Sequence, residues 1–180
     1  MLRIKRRSRS VVMTSIGLFV LVVLGFYTLA VGRVVLNGSD SLPDTAYFMV
    51  TWPKVIWRGS YVAVPAPSIL KTDGADVVLV KRVAGIAGDK VEIKQNEANR
   101  DVICINTTCV EPYYQNGKAW SNFWKEKEIK FGWLGLLGTS PDSLDSRYDV
   151  IGGFDLSSVK AVGIPIPWFP TMERLREWLG

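Results

Sequence analysis

The stretch Asp76–Gly85, "DVVLVKRVAG", predicts a buried β-strand. Valine and leucine dominate the stretch, and aspartate and glycine bound it, which is typical of a strand inside a core. Alternate residues of a strand share one face. Lys81 therefore lies on the same face as Val77, Leu79 and Val83, and the arginine after it points to the opposite face.

Six other short runs have the same character and are separated by Gly, Pro, Asp and Asn. They are "AYFMVTW" (46–52), "SYVAVPA" (60–66), "DKVEIKQ" (89–95), "DVICIN" (101–106), "FGWLGLLG" (131–138) and "VKAVGIPI" (159–166). Strands spaced this closely, with few helical periods between them, predict a mainly β fold built from antiparallel sheet. The least patterned segment, Pro112–Lys130, is predicted to be a loop or an insertion.

The C-terminal segment "PTMERLREWLG" (170–180) predicts a short amphipathic helix. Its apolar residues recur at helical spacing at Met172, Leu175, Trp178 and Leu179. Packing on the domain is the expected role of this helix, and lying on a membrane surface is the alternative.

The N-terminal run Val11–Val31 has 21 residues and no charge. At about 1.5 Å per residue it matches the roughly 30 Å of a bilayer core. Five of the basic residues precede the run and Arg33 follows it, so we expect the N-terminus in the cytoplasm. A retained transmembrane anchor is the favoured interpretation. A cleaved secretory signal ending at "TLA" or "AVG" is the alternative, although the run is long for one.

The net charge of +5 does not indicate a nucleic acid partner, because the basic excess lies within the first ten residues. The rest of the chain carries 17 basic and 17 acidic residues. Cys104 and Cys109, in "ICINTTCV", predict a hairpin that a disulfide closes in an oxidising compartment. Two buried free thiols are the alternative. With no histidine and no other cysteine, a metal site is not expected.

The absence of histidine also excludes a Ser-His-Asp triad. A hydrolytic serine would need another base, and a lysine serves only when burial lowers its pKa toward neutrality. Lys81, on the core-facing side of its strand, is the candidate. The alternative is an edge-strand lysine whose stem covers the core while its amine reaches water.

A third polar segment, "GTSPDSLDSRYDVIGG" (138–153), contains Ser143, Asp145 and Arg147 in alternation. In an extended conformation all three would face the same way, and the last two would form a charge pair. A polar turn with a surface salt bridge of little consequence is the alternative.

Three segments together resemble a known family. "GSDSLP" (38–43), "VKRVAGIAGD" (80–89) and "GTSPDSLDSRY" (138–148) are similar, in this order, to the serine, lysine and aspartate-arginine boxes of the signal peptidase I (S26) family. The preceding anchor with its basic end fits the same family. The resemblance implies a signal-peptidase-like β domain on the membrane surface, and a serine endopeptidase that needs no metal or organic cofactor.

Carried over residue by residue, the resemblance implies that Ser41 is the nucleophile and Lys81 the general base. Ser143 matches the residue whose hydroxyl helps to orient the lysine. Asp145 and Arg147 match the pair that braces the site.

The resemblance also implies a role for Ser39, whose hydroxyl would complete an oxyanion hole with the backbone N–H of Ser41. The chain departs from the general pattern at one point. Only Leu42 separates Ser41 from Pro43, whereas general signal peptidases have two residues there.

The form N…S-L-P…Y, with Asn37 and Tyr47, resembles the TraF-type branch of the family more closely. Members of that branch serve conjugative transfer and type IV secretion, mature pilin precursors, and in some cases join the ends of the pilin into a ring. Ala46 stands where that branch often has glycine.

These inferences divide the chain into a cytoplasmic basic segment (1–10), a transmembrane anchor (11–32) and a periplasmic Ser-Lys peptidase domain (33–180). The expected location is the bacterial inner (cytoplasmic) membrane. The expected partners are inner-membrane lipid, a membrane-bound precursor with a signal peptide or pilin leader, and a conjugative secretion apparatus. Three alternatives stay open: a general signal peptidase I, a cytosolic repressor-type self-cleaving protease, which has no need of the anchor, and a non-catalytic membrane subunit of a secretion complex.

Overall fold

One long N-terminal helix precedes a set of antiparallel sheets. The computed structural model of the protein describes residues 7–39, 41–67, 77–116, 118–171 and 177. Helix α1 covers Arg7–Val31 and contains the apolar span Val11–Val31, whose mean hydropathy is 2.2 and whose side chains are not buried by the rest of the protein. A helix this long and apolar is suited to cross a bilayer, which favours its role as a membrane anchor.

Twelve strands and one 3₁₀ turn at Leu156–Ser158 are found in the part of the chain that the structure describes. The strands are β1 Gly32–Leu36, β2 Ala46–Val50, β3 Tyr61–Pro65, β4 Val78–Gly85, β5 Val91–Gln95, β6 Asp101–Ile105, β7 Thr108–Val110, β8 Tyr114–Gln115, β9 Lys118–Ala119, β10 Trp133–Leu137, β11 Phe154–Asp155 and β12 Ala161–Pro165.

The main sheet has seven strands in the order β1-β2-β12-β3-β4-β10-β11, and every pairing in it is antiparallel. A three-stranded sheet has the order β5-β6-β7, and β8 pairs with β9. The prediction of a mainly β, antiparallel fold is therefore confirmed. All seven predicted runs contain a strand, because alternation and turn residues mark them clearly.

Strand β1 is missing from the predictions because it follows α1 directly, with Gly32 as its first residue and no loop between the two elements. Hydrogen bonds tie the end of α1 to the residues that directly follow β2. The backbone N–H and the hydroxyl of Thr51 both donate to the carbonyl of Val31, at 3.0 and 3.1 Å. The Tyr27 hydroxyl donates to the carbonyl of Trp52 at 2.5 Å, and the two rings meet edge to face.

Segment 112–130 has little regular structure, as predicted, but it is not a simple surface loop. Phe123, Trp124 and Ile129 are buried and pack in a core cluster with residues of β5, β6 and β10. The predicted C-terminal helix with Met172, Leu175, Trp178 and Leu179 lies outside the described residues.

The β6–β7 hairpin joins Cys104 and Cys109 as a cross-strand pair, with their Cα atoms 4.0 Å apart and their sulfur atoms bonded. Cys104 is buried beside the core cluster of that sheet.

Another cluster lies under the β1–β2 connection. It contains Leu42, Tyr47, Met49, Tyr61, Ala63, Val80 and Ala161. This cluster supports the loop that carries the predicted nucleophile.

Candidate active site

Ser39 and Ser41 lie in the loop of residues 37–45, here called the serine loop, which connects β1 to β2. The strands pair up to Leu36 and Ala46, and the loop closes above that pair. Leu42 is only 4% exposed, so the residue after Ser41 is anchored in the core while Ser41 remains at the surface. The Oγ atoms of Ser39 and Ser41 are 2.9 Å apart and share a hydrogen bond.

Lys81 lies in β4, which pairs with β3 on one side and, further along, with β10 on the other. Its side chain is buried, since the residue is only 4% exposed. Its Nζ donates to Ser143 Oγ at 2.7 Å. Burial lowers the pKa of Lys81, and the neighbouring Arg147 adds to this, whereas the carboxylates of Asp145 and Asp142 oppose it. The neutral amine that a general base requires is thus favoured.

Asp145 and Arg147 form an ion pair that is completely buried, so the alternative of a surface salt bridge is wrong. Arg147 Nε donates to Asp145 Oδ1 at 2.9 Å, and Nη2 donates to Oδ2 at 3.0 Å. Both side chains are 0% exposed. Their backbone forms turns and bends rather than the extended segment that was expected. The pair follows from this turn and not from strand alternation.

The remaining donors of Arg147 hold the backbone of its own segment and of a neighbouring one. Nη1 donates to the carbonyls of Glu111 at 2.6 Å and Pro141 at 3.0 Å. Nη2 donates to the carbonyls of Gly138 at 3.1 Å and Ser140 at 3.0 Å. One guanidinium group therefore fixes the turn that carries Ser143.

The Asp145–Arg147 pair is linked to Ser41 through two backbone groups. Asp145 Oδ2 accepts the N–H of Gly138 at 2.7 Å, and the N–H of Thr139, next along the chain, donates to the carbonyl of Ser41 at 2.9 Å. The buried ion pair thereby braces the serine loop across the gap between two distant segments.

A cavity of about 400 Å³ brings the predicted residues together. Ser39, Ser41, Lys81 and Ser143 all line it, with Asp142 at the same wall. The apolar part of its lining consists of Val35, Leu36, Val78, Leu79, Val80 and Leu144. In this state the hydroxyl of Ser41 bonds to Ser39, and Lys81 bonds to Ser143. Catalytic hydrogen bonds are often completed only when substrate binds.

Four residues of this arrangement received no role from the sequence: Asn37, Gly138, Thr139 and Ser146. Ser146 is buried, and its Oγ accepts the N–H of Leu136 at 2.9 Å, which ties the turn to β10. Asn37 was noted only as a mark of one family branch. The segment "GTSPDSLDSRY" contains Gly138, Thr139 and Ser146 but does not indicate what they contact.

Gly138→Ala is expected to reduce catalysis beyond its effect on stability. A Cβ at this position would overlap Ser143 Oγ and lie 2.7 Å from both Ser143 Cβ and the carbonyl oxygen of Ser41. Overpacking of this kind costs about 1–3 kcal/mol. The measurement is kcat/KM for precursor cleavage together with the midpoint of thermal unfolding.

Gly135→Ala is the matched control, because its Cβ would crowd Ile105 and Ile129 at 2.9 Å and nothing in the cavity. We expect it to lower stability while the folded protein cleaves normally. If Gly138→Ala retains the wild-type kcat/KM, the close approach at Gly138 has no bearing on the site.

Comparison with known proteins identifies the class to which this arrangement belongs. Residues 6–167 match the family described as "Signal peptidase, peptidase S26". The match covers most of the chain, so the protein belongs to the signal peptidase S26 family, a family of serine endopeptidases. No curated protein sequence matches the chain significantly. Among the described residues there is no group of three or more His, Cys, Asp or Glu side chains arranged to hold a metal ion.

Proposed function

We propose that the protein is a membrane-anchored serine endopeptidase that removes leader segments from exported precursors by means of a Ser41–Lys81 dyad. The observation that carries the proposal is the buried amine of Lys81, which is bound to Ser143 and lines the same cavity as Ser41. Buried lysines are rare in proteins, because burial of the charged amine costs free energy. Groups perturbed in this way cluster at functional sites.

In the acylation step, neutral Lys81 accepts the proton of Ser41 as Ser41 Oγ attacks the scissile carbonyl carbon. The oxyanion is held by the Ser41 N–H and the Ser39 hydroxyl. The C–N bond then breaks, the Lys81 ammonium returns the proton to the leaving amine, and an acyl-enzyme remains. Ser143 keeps the amine directed into the cavity throughout.

In the second step the acyl-enzyme is released by a second nucleophile. Water gives up a proton to Lys81 and attacks the ester carbonyl, which yields a linear product and restores the Ser41 hydroxyl. If the amino group at the other end of the same precursor attacks instead, the product is a cyclic peptide. The TraF-like spacing Ser41-Leu42-Pro43 favours a pilin or another conjugative or type IV secretion substrate.

The walls of the cavity support a preference for apolar residues before the cut. Val78, Leu79, Val80 and Leu144 line a space of about 400 Å³ that also holds the proposed catalytic groups. A preference for small residues such as alanine is what the resemblance to the family implies. A general signal peptidase I is the second candidate, and it is favoured by the same cavity.

The proposal assigns residues 1–10 to the cytoplasm, 11–32 to the bacterial inner membrane and 33–180 to the periplasm. Confinement of enzyme and precursor to one membrane raises their effective concentration. The contact between Tyr27 and Trp52 is consistent with a domain that rests on the bilayer, because such aromatic side chains favour the membrane interface. A conjugative secretion apparatus is the proposed further partner.

Mass spectrometry of a candidate precursor tests the function directly. The precursor, carrying an Ala-X-Ala sequence before the cut, is expressed with and without this protein. We expect a mass loss equal to the leader, and a further loss of one water if the product is cyclised. An unchanged precursor mass for every pilin-like and signal-peptide precursor tested would contradict the proposal and favour a non-catalytic membrane subunit.

Ser39→Ala is expected to slow cleavage by about 10²–10³-fold, the usual effect of removing one oxyanion donor. The loss should appear in kcat and not in KM, because the donor acts on charge that develops in the transition state. Ser121→Ala, which removes an exposed hydroxyl away from the cavity lining, is the control. A wild-type rate for Ser39→Ala would remove that residue from the oxyanion hole.

A further inference from the structure

The side chain of Asn37 crosses the serine loop and contacts both of its limbs. Its Nδ2 donates to the carbonyls of Leu42 at 3.3 Å and Asp44 at 3.5 Å. Its Oδ1 accepts the N–H of Ser39 at 3.3 Å and lies 3.1 Å from Ser39 Oγ. The backbone N–H of Asn37 also closes the loop onto the carbonyl of Thr45 at 2.7 Å.

These contacts determine which way the amide of Asn37 is turned. If the group were rotated by 180°, its NH₂ would face the backbone N–H of Ser39, donor against donor. Its oxygen would then face the carbonyls of Leu42 and Asp44, acceptor against acceptor. Both arrangements are unfavourable, so the network fixes Oδ1 on the side of Ser39.

The orientation of the amide also determines which hydroxyl is the donor in each of these hydrogen bonds. Oδ1 carries no proton, so the hydroxyl of Ser39 must be the donor in its contact with Asn37. A hydroxyl has only one proton to donate. In the 2.9 Å contact between the serines, Ser41 is therefore the donor and Ser39 the acceptor. The hydrogen bonds run in one direction, from Ser41 to Ser39 to Asn37.

We propose that Asn37 is a positioning residue that acts on the reaction through the hydroxyl of Ser39, an inference that rests on the proposed function. Asn37 holds the oxygen and the N–H of Ser39 in place while the substrate is absent. As Ser41 Oγ attacks, its proton leaves Ser39 Oγ and passes to Lys81. Rotation about the Cβ–Oγ bond of Ser39 alone then moves the Ser39 proton from Asn37 Oδ1 to the oxyanion that forms.

A double-mutant cycle between Asn37 and Ser39 tests this inference. We expect Asn37→Ala to lower kcat for an Ala-X-Ala precursor by about 10-fold or more, and by no more than the ~10²–10³-fold of Ser39→Ala. KM should change little. Because Asn37 acts through Ser39, the double variant should be no slower than Ser39→Ala alone. A role confined to holding the loop would not produce this coupling, since a displaced loop also displaces Ser41.

Two outcomes would overturn the inference. One is a wild-type kcat for Asn37→Ala. The other is a double variant that is slower than Ser39→Ala by the full factor that Asn37→Ala shows by itself. Asn37→Leu, which keeps the volume but removes the acceptor, repeats the cycle if the alanine variant does not fold. A wild-type protein that cleaves no precursor contradicts the proposed function, whereas an active wild type with additive losses contradicts only the role of Asn37.

Discussion

Replacement of Lys81 by methionine is expected to lower kcat/KM for precursor cleavage by at least the ~10²–10⁴-fold that a general base contributes, without loss of stability. Methionine keeps the length of the side chain but has no atom that takes the proton of Ser41. The buried amine costs free energy of folding at neutral pH, because burial disfavours its charged form. We therefore expect the variant to be at least as stable as the wild type.

The lowered pKa of Lys81 also predicts the direction in which activity and stability change with pH. The neutral amine is the active form, so kcat/KM of the wild type should rise with pH through the lowered pKa. Between that pKa and the ordinary value of about 10.4, the unfolded chain binds more protons than the folded one. Wild-type stability should consequently increase with pH in this window, and Lys81→Met should lack that increase.

Two further variants test whether the effects of Lys81→Met come from the loss of the buried amine. Ser41→Ala should also stop cleavage, but it should keep the pH-dependent stability because Lys81 is still present. Lys160→Met, at an exposed position immediately before β12, should leave activity and stability unchanged. The measurements are cleavage of a membrane-bound precursor and urea unfolding of the solubilised protein at several pH values. Cleavage by Lys81→Met at the wild-type rate would exclude the proposed dyad.

Arg147→Ala is expected to lower the free energy of unfolding by about 3–5 kcal/mol, because it leaves the carboxylate of Asp145 buried without its partner. The carbonyls of Glu111, Pro141, Gly138 and Ser140 lose their donors at the same time. Arg147→Lys should recover only part of the loss, since an ammonium group lacks the planar fork of donors. Activity should fall with stability, as the turn that carries Ser143 is released.

Arg100→Ala is the control for Arg147→Ala. Arg100 forms an exposed ion pair with Glu111 at 3.8 Å, and a pair of this kind contributes at most about 1 kcal/mol. Denaturant unfolding with an unchanged m-value would attribute the difference between the variants to stability itself. A cost below about 1 kcal/mol for Arg147→Ala would mean that the buried pair is not what holds the site together.

The strands and the burial of Lys81 could be predicted because their signals are local. A continuous Val-rich run identifies β4, and the position of Lys81 on the same face as Val77, Leu79 and Val83 predicts a buried amine. The bracing of the serine loop could not be predicted in this way. The hydrogen bond from Thr139 to Ser41 joins segments far apart in the chain, and no local pattern encodes such a contact. The burial of Trp124 could not be predicted either. Its segment has no pattern of its own and is buried only by packing on the strands that it covers.

Membership of the family does not by itself determine which precursor is cleaved. The order of the three boxes and the family match agree on a serine endopeptidase. In the proposed function, the choice of precursor rests on the walls of one cavity and on the single residue between Ser41 and Pro43. Cleavage assays with pilin-like and general leader sequences, carried out side by side, measure which kind of precursor is preferred.

The direct passage from α1 into β1 fixes the distance between the end of the apolar span and the start of the serine loop. No linker separates Val31 from Gly32, and the hydrogen bonds of Thr51 to Val31 stiffen the junction. β1 has five residues, so the serine loop begins no more than about 17 Å of strand beyond the end of the apolar span. With α1 as the proposed anchor, the serine loop lies at a fixed height above the bilayer, and we expect this height to influence where the precursor is cut. Residues inserted between Val31 and Gly32 would shift the cut further from the leader's apolar segment.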